Sequence, residues 1–146
     1  MSMPPSVIPR MYRMLVDDGY DIVIGSRYAP GGVDDRHALR VLASRLINNF
    51  ARLVLDHGIR DYDSGFVLIK RSVLDSVTII PRGYGEYFIE FIYDACRKGL
   101  RVAEIGYYFR DRTVGVSKSA PSVLKFLVAG LGYVARILMA RVRRID

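Results

Sequence analysis

Apolar and polar positions fall along this chain in blocks whose period switches between helical and strand-like. Val7, Ile8, Met11, Met14 and Leu15 recur at helical spacing after Pro4-Pro5 and stop before Asp17-Asp18-Gly19. Prolines suit a first turn and glycine suits the position just past an end, so a helix is predicted between them. Asp21-Ile22-Val23-Ile24-Gly25 is a short, continuously apolar run, as expected of a strand in a parallel sheet covered on both faces. Arg27 to Arg36, with the turn residues Pro30-Gly31-Gly32, is predicted to be loop.

The strongest helical pattern runs from His37 to Leu55. Leu39, Leu42, Leu46, Phe50 and Val54 make its apolar stripe, and Arg40, Ser44 and Asn48 lie on another face at successive turns. A polar loop, Asp56 to Ser64, leads to a second short strand, Gly65 to Ile69. Helices are expected to start near Arg71 and at Glu86, the second ending at Gly99. Arg101 to Phe109 supplies one strand, or two with a break at Gly106. There are no internal repeats and no linker, and the alternation of helix and strand predicts an α/β layer architecture.

The last segment, Pro121 to Arg144, is the most apolar. Leu124, Leu127, Leu131, Val134, Leu138 and Val142 form one face, while Lys125, Gly132, Arg136 and Arg143 lie on the other. A helix of this kind can lie in a membrane interface with its cations among head groups. It can equally dock on a core, with cations favoured at its C-terminus.

Length and charge narrow the classes. At 146 residues the chain is about one domain, and its formal net charge of +7 points to an anionic partner. Nucleic acid fits that charge, but the chain has no recognition motif, no basic groove-binding helix and no aromatic stacking platform. The single Cys96 sits among apolar residues and reads as a structural thiol. Neither a signal-peptide pattern nor an uninterrupted apolar stretch of transmembrane length is present in these residues.

Five places carry possible chemistry. The segment Phe109 to Lys118 gathers Arg110, Arg112, Ser117 and Lys118 about a hinge at Gly115, which suits closure over phosphate or, equally, a solvated basic connector. Arg27 follows the first strand, where ligands bind in open α/β sheets, although pairing with Asp34 or Asp35 explains it as well. Arg40 and Ser44 are one helical turn apart and could grip a phosphate or simply be solvated. Asp61, Asp63 and Ser64 could orient a sugar hydroxyl or form an Asx-type turn before a strand. Glu86 and Glu90 share a helix face without a role assignable from spacing. Walker, dinucleotide and zinc patterns are missing, and no Asp-x-Asp ends a strand; Asp61-x-Asp63 precedes one.

Taken in order, these segments resemble one family. Pro4-Pro5, Asp21 through Tyr28, Gly31-Gly32, Arg40-x-x-x-Ser44-Arg45 with Asn48 or Asn49, Asp63-Ser64-Gly65-Phe66, Gly83-Tyr84, Glu90, Gly99, Glu104 and the Asp111-to-Lys118 loop follow the order of dolichyl-phosphate (polyprenyl-phosphate) mannose synthases. These belong to glycosyltransferase family 2. The resemblance implies a partial GT-A fold: a mixed sheet with flanking helices and a C-terminal amphipathic helix. It implies an acceptor-side portion over residues 1–119 and a basic membrane-interface helix over 120–146. The implied activity is transfer of a sugar, mannose from GDP-mannose, to dolichyl or polyprenyl phosphate. The alternative is a non-catalytic membrane-associated module that binds polyprenyl phosphate or a partner subunit.

Carried over by position, Arg27, Arg40 and Ser44 would hold the acceptor phosphate, and Arg112, Ser117 and Lys118 the donor diphosphate. Asp63, Ser64 and Glu90 would line the substrate pocket, and no catalytic residue is assignable. The resemblance implies Mg2+ or Mn2+ in the complete enzyme, with its ligands outside this chain, and a peripheral place on the cytoplasmic face of a membrane. In the family, the nucleotide-binding half with its Asp-x-Asp precedes the residues matching Ser2-Met3-Pro4-Pro5, so this chain is expected to correspond to the C-terminal half. Alone it is expected to be inactive, with that other half or a membrane subunit as partner. Two positions depart from the pattern: Met3, where His is frequent, and Gly106, where Pro is frequent.

Overall fold

A computed structural model of the chain describes residues 2–81, 86–110 and 123–143, with side chains described except at 86 and 123–129. Arg112, Ser117 and Lys118 therefore lie outside the described residues. A turn of 3-10 helix, Pro5–Val7, leads into α1, Ile8–Val16, which carries proline in its first turn as predicted. Then come β1 (Ile22–Ser26), β2 (Val33–Asp35), α2 (Ala38–Leu55), β3 (Val67–Ile69) and α3 (Arg71–Ser76). The chain continues through α4 (Glu86–Arg97), β4 (Val102–Gly106), β5 (Tyr108–Arg110) and α5 (Val123–Val142).

β1 is the middle of a three-stranded sheet ordered β3-β1-β4. It runs parallel to β4, with Ile22 opposite Val102, and antiparallel to β3, with Ile22 opposite Ile69. The sheet is thus mixed. All five residues of β1 are buried, because α1 covers one face and the other helices cover the opposite one.

On the α1 side, Met11 and Leu15 pack with Val23 and Ile105. On the other side, Ile22 and Ile24 join Ala51 and Leu55 of α2, Ile89 and Ile92 of α4, and Ile137 and Ala140 of α5. Each valine, leucine, isoleucine or methionine among them contributes about 1.5–3 kcal/mol by leaving water.

The predicted loop 27–36 contains a strand. β2 pairs in parallel with β5, Val33 opposite Tyr108, to make a second small sheet. The break in the last strand pair falls at Tyr107, whose N–H donates to the Ser26 carbonyl at 3.1 Å while its own carbonyl accepts from Val33 N–H at 3.0 Å. This one residue joins the two sheets. Gly106 makes the junction possible, since a Cβ there would collide with Pro30 O and the backbone nitrogen of Gly32.

α2 is turned about its axis relative to the usual rule. An amphipathic helix ordinarily buries its apolar stripe. Here Ser44, Asn48, Ala51 and Leu55 are buried, whereas Leu39, Leu42, Leu46 and Leu53 are 58, 55, 61 and 80% exposed. One reason is that Asn48 is held inward by backbone groups of α2 and of the loop after it. Asn48 Nδ2 donates to Ser44 O at 2.9 Å, and Asn48 Oδ1 accepts from Tyr62 N–H at 2.7 Å. Phe50 and Val54 alone of the predicted stripe pack against the core, and only partly.

α5 docks through Tyr133, Ile137 and Ala140, leaving Leu131, Leu138 and Val142 of the predicted apolar face exposed. Polar ties set that orientation: Tyr133 Oη donates to Asp63 Oδ1 at 3.0 Å, and Arg136 Nη1 to Glu90 Oε1 at 2.8 Å. No described helix is long and apolar enough to cross a membrane.

Candidate functional site

Arg27 is the centre of the polar cluster beyond the C-terminal end of β1. Its guanidinium donates from Nε to Asp61 Oδ2 at 2.9 Å and from Nη2 to Asp61 Oδ1 at 2.6 Å. The backbone N–H of Arg27 adds a third bond to Asp61 Oδ2 at 2.8 Å. Both side chains are out of solvent, 4 and 0% exposed. Burial by itself would pull the Arg27 pKa down, but the hydrogen bonds and charge of Asp61 reverse that and hold it above the ordinary guanidinium range. The sequence offers Asp34 or Asp35 as the partner; the fold instead brings Asp61 across.

Asp61 is placed by the loop after α2. Its N–H and that of Arg60 donate to the two oxygens of Glu104 on β4, both at 2.9 Å. Asp34 is occupied elsewhere, accepting from Arg36 Nε at 2.7 Å, from Arg36 Nη2 at 2.6 Å and from Tyr28 Oη at 3.0 Å. The rings of Tyr28 and Phe109 lie near the Arg27 guanidinium, 5.2 and 5.9 Å from its central carbon.

Asp63 lies 3.6 Å from Arg27 Nη2 and accepts from Tyr133 of α5. Burial raises its pKa, and this outweighs the opposing pull of Arg27 and of the Tyr133 hydroxyl. An acid whose folded pKa is raised contributes stability below its unfolded pKa, and that contribution is lost as pH rises through the folded pKa. Asp63→Asn is therefore expected to raise stability at neutral pH and to flatten the mildly acidic part of the pH–stability curve. Urea midpoints measured between pH 4 and 8 check this; parallel curves for the two proteins would refute it.

The remaining predicted site residues divide into two groups. Ser64 Oγ donates to Gly25 O and so fastens the Asp61–Ser64 loop to β1 beside Arg27. Glu90 is tied to Arg136, with Arg143 Nη1 a further 3.8 Å away. Because Tyr133 and Arg136 are one turn apart, α5 brings Asp63 and Glu90 under the same helical face. Ser44 is buried on α2, where its Oγ approaches the Tyr28 phenol but makes no hydrogen bond of ordinary geometry. Arg40 stands one turn before it, half-buried.

Sequence reasoning singled out Asp61 but not its pairing with Arg27, and it missed Tyr133 and Arg136 as members of this cluster. No local signal marks the Arg27–Asp61 pair, which spans 34 positions. Asp61 and Asp63, which have the Asp-x-Asp spacing, both face Arg27. Among the described residues, no three His, Cys, Asp or Glu side chains gather as a metal site, so these residues do not fit a divalent cation.

No protein-family profile matches the chain. Curated proteins similar to it include the polyprenol monophosphomannose synthase of Mycolicibacterium smegmatis, 35% identical over 133 residues, 86% of this chain and 50% of that protein. A second is the dolichol-phosphate mannosyltransferase of Pyrococcus furiosus, 33% identical over 118 residues, 79% of this chain and 32% of that protein. The chain thus spans about half the length of the first relative and about a third of the second.

Proposed function

The chain belongs with the polyprenyl-phosphate mannose synthases, and from that premise we propose that it forms the acceptor side of a GT-A glycosyltransferase. The reaction is transfer of mannose from GDP-mannose to polyprenyl or dolichyl phosphate. The observation that supports this most is Ser44: a buried hydroxyl without a good partner of its own, one turn from Arg40 and on the helix that packs beside Tyr28 and Arg27. A phosphate oxygen would supply the missing acceptor for that hydroxyl, with Arg40 and Arg27 offsetting its charge.

A phosphate oxygen is already ionised at neutral pH, so it attacks the anomeric carbon without a general base. The bond that forms joins that carbon to the acceptor phosphate, and the bond that breaks releases the nucleotide diphosphate, with inversion. Arg112, Ser117 and Lys118 are proposed to bind the donor diphosphate and offset the charge that develops on it. The divalent cation of such a reaction would be held by residues other than the described ones. The exposed leucines of α2, with Leu131, Leu138, Met139 and Val142 of α5, support a peripheral seat on a membrane surface, which we take to be the cytoplasmic face from the resemblance alone.

The test is transfer of labelled mannose from GDP-mannose to polyprenyl phosphate by the chain joined to a nucleotide-binding half. Ser44→Ala is expected to lower transfer by about tenfold to a hundredfold, the loss of one hydrogen bond to a charged group. Its melting temperature should stay unchanged, because Ser44 Oγ makes no internal bond of good geometry. Arg40→Gln should do at least as much. Unaltered transfer in both variants, or no product from the joined protein, would overturn the assignment.

A further inference from the structure

A second basic site lies on a different face of α2. Arg45, Asn49 and Arg52 follow one another at spacings of four and three, so they form a row along the helix. Arg60, from the loop after α2, stands beside that row, and together with Tyr28 they line a cavity of about 330 Å³. That is room for a phosphate group and several waters, each of about 30 Å³. The Arg45 guanidinium sits 5.9 Å from the centre of the Tyr28 ring.

Charge makes this cavity unusual. Arg27 also reaches its wall, but its Nε and Nη2 are bonded to Asp61. Arg45, Arg52 and Arg60 have no ion-pair partner among the described residues, and no carboxylate lines the cavity. Three guanidiniums gathered without a counter-charge repel one another, and an anion seated between them relieves that repulsion. Planar forks of N–H donors match phosphate oxygens in particular.

The surroundings point to the form of phosphate. Leu42 precedes Arg45 by one turn, Leu46 precedes Asn49 by one turn, and Leu53 follows Asn49 by one turn. All three leucines are exposed, so an apolar ridge borders the basic row along its length. We propose that this cavity binds the phosphate of an anionic lipid head group, with the leucine ridge against the acyl region. Arg45 and Arg52 lie on another face of α2 from Arg40 and Ser44, with Arg27 and Tyr28 between the two, and binding at Arg45, Arg52 and Arg60 needs no sugar transfer to be detected.

The experiment uses the whole chain and an Arg52→Gln/Arg60→Gln variant, with Arg10→Gln/Arg13→Gln on α1 as a charge-matched control. All four arginines are exposed, and circular dichroism melting checks that each protein is folded. Co-sedimentation with phosphatidylcholine vesicles containing one part in five phosphatidylglycerol is compared with titration of inorganic phosphate at matched ionic strength. The cavity variant should bind the anionic vesicles about tenfold more weakly or worse, and the control much less so. Loss in the vesicle arm alone assigns the site to a head group in its bilayer setting. Loss in both arms assigns it to the phosphate group itself. Equal loss in cavity variant and control, or loss in neither arm, overturns the proposal.

Discussion

Asp61→Ala is expected to destabilise the fold by about 3–5 kcal/mol, because it leaves the Arg27 guanidinium buried without a counter-charge. Arg27 cannot escape to solvent: it is 4% exposed, and its backbone N–H also donates to Asp61. The urea midpoint of the folded chain reads the effect directly, with an unchanged slope showing that the native state is otherwise intact. A loss under about 1 kcal/mol, the range of an exposed ion pair, would show that the bidentate bond does not hold this region together. Arg27→Met/Asp61→Leu is expected to recover a large part of the loss, since well-packed apolar pairs often replace buried ion pairs at little cost. The same double variant should abolish acceptor binding if the proposed function is right, which separates the structural work of Asp61 from the ligand work of Arg27.

Gly106→Ala is the second large effect, expected at about 3 kcal/mol, the upper range for forced overpacking. The added methyl meets backbone atoms of Pro30, Gly31 and Gly32, which cannot rotate away as a side chain can. Gly32 is pinned in turn, since a Cβ there would lie 2.6 Å from Ser26 O and 2.7 Å from the Arg27 carbonyl carbon. The shift therefore passes from Gly106 through the 30–32 turn to Arg27. Thermal melting and amide exchange at Val33 and Tyr107 check this, because their hydrogen bonds sit at the same junction. Full stability with unchanged exchange would refute it.

Local period made much of the architecture legible from residues alone. α1, α2, α4 and β1 fall close to their predicted bounds because each has its own punctuation, such as Pro4-Pro5, His37 and Gly99. β2 escaped notice because Val33-Asp34-Asp35 is too short to show alternation and is a strand only through its pairing with β5, whereas β5 falls in the Arg101-to-Phe109 stretch expected to hold one strand or two. Arg27 and Ser64 were legible as site candidates, since position after a strand and an Asx-type turn are local signals. Their actual partners were not, because Asp61 and Gly25 O arrive by tertiary contact. The facing of α2 failed for a related reason. A hydrophobic stripe tells which side avoids water when the core is apolar, but Asn48 is drawn inward to accept from the backbone N–H of Tyr62.

That reversed helix also sets which substitutions the chain should tolerate. Positions 39, 42, 46 and 53 ask only for an apolar side chain of no fixed shape, so leucine, isoleucine, methionine or phenylalanine should serve there interchangeably. Positions 44 and 48 sit in enclosed space with defined neighbours, and Asn48 both gives and takes a hydrogen bond. In a saturation library of α2, the polar positions should therefore be the intolerant ones, and the greasiest positions the most permissive.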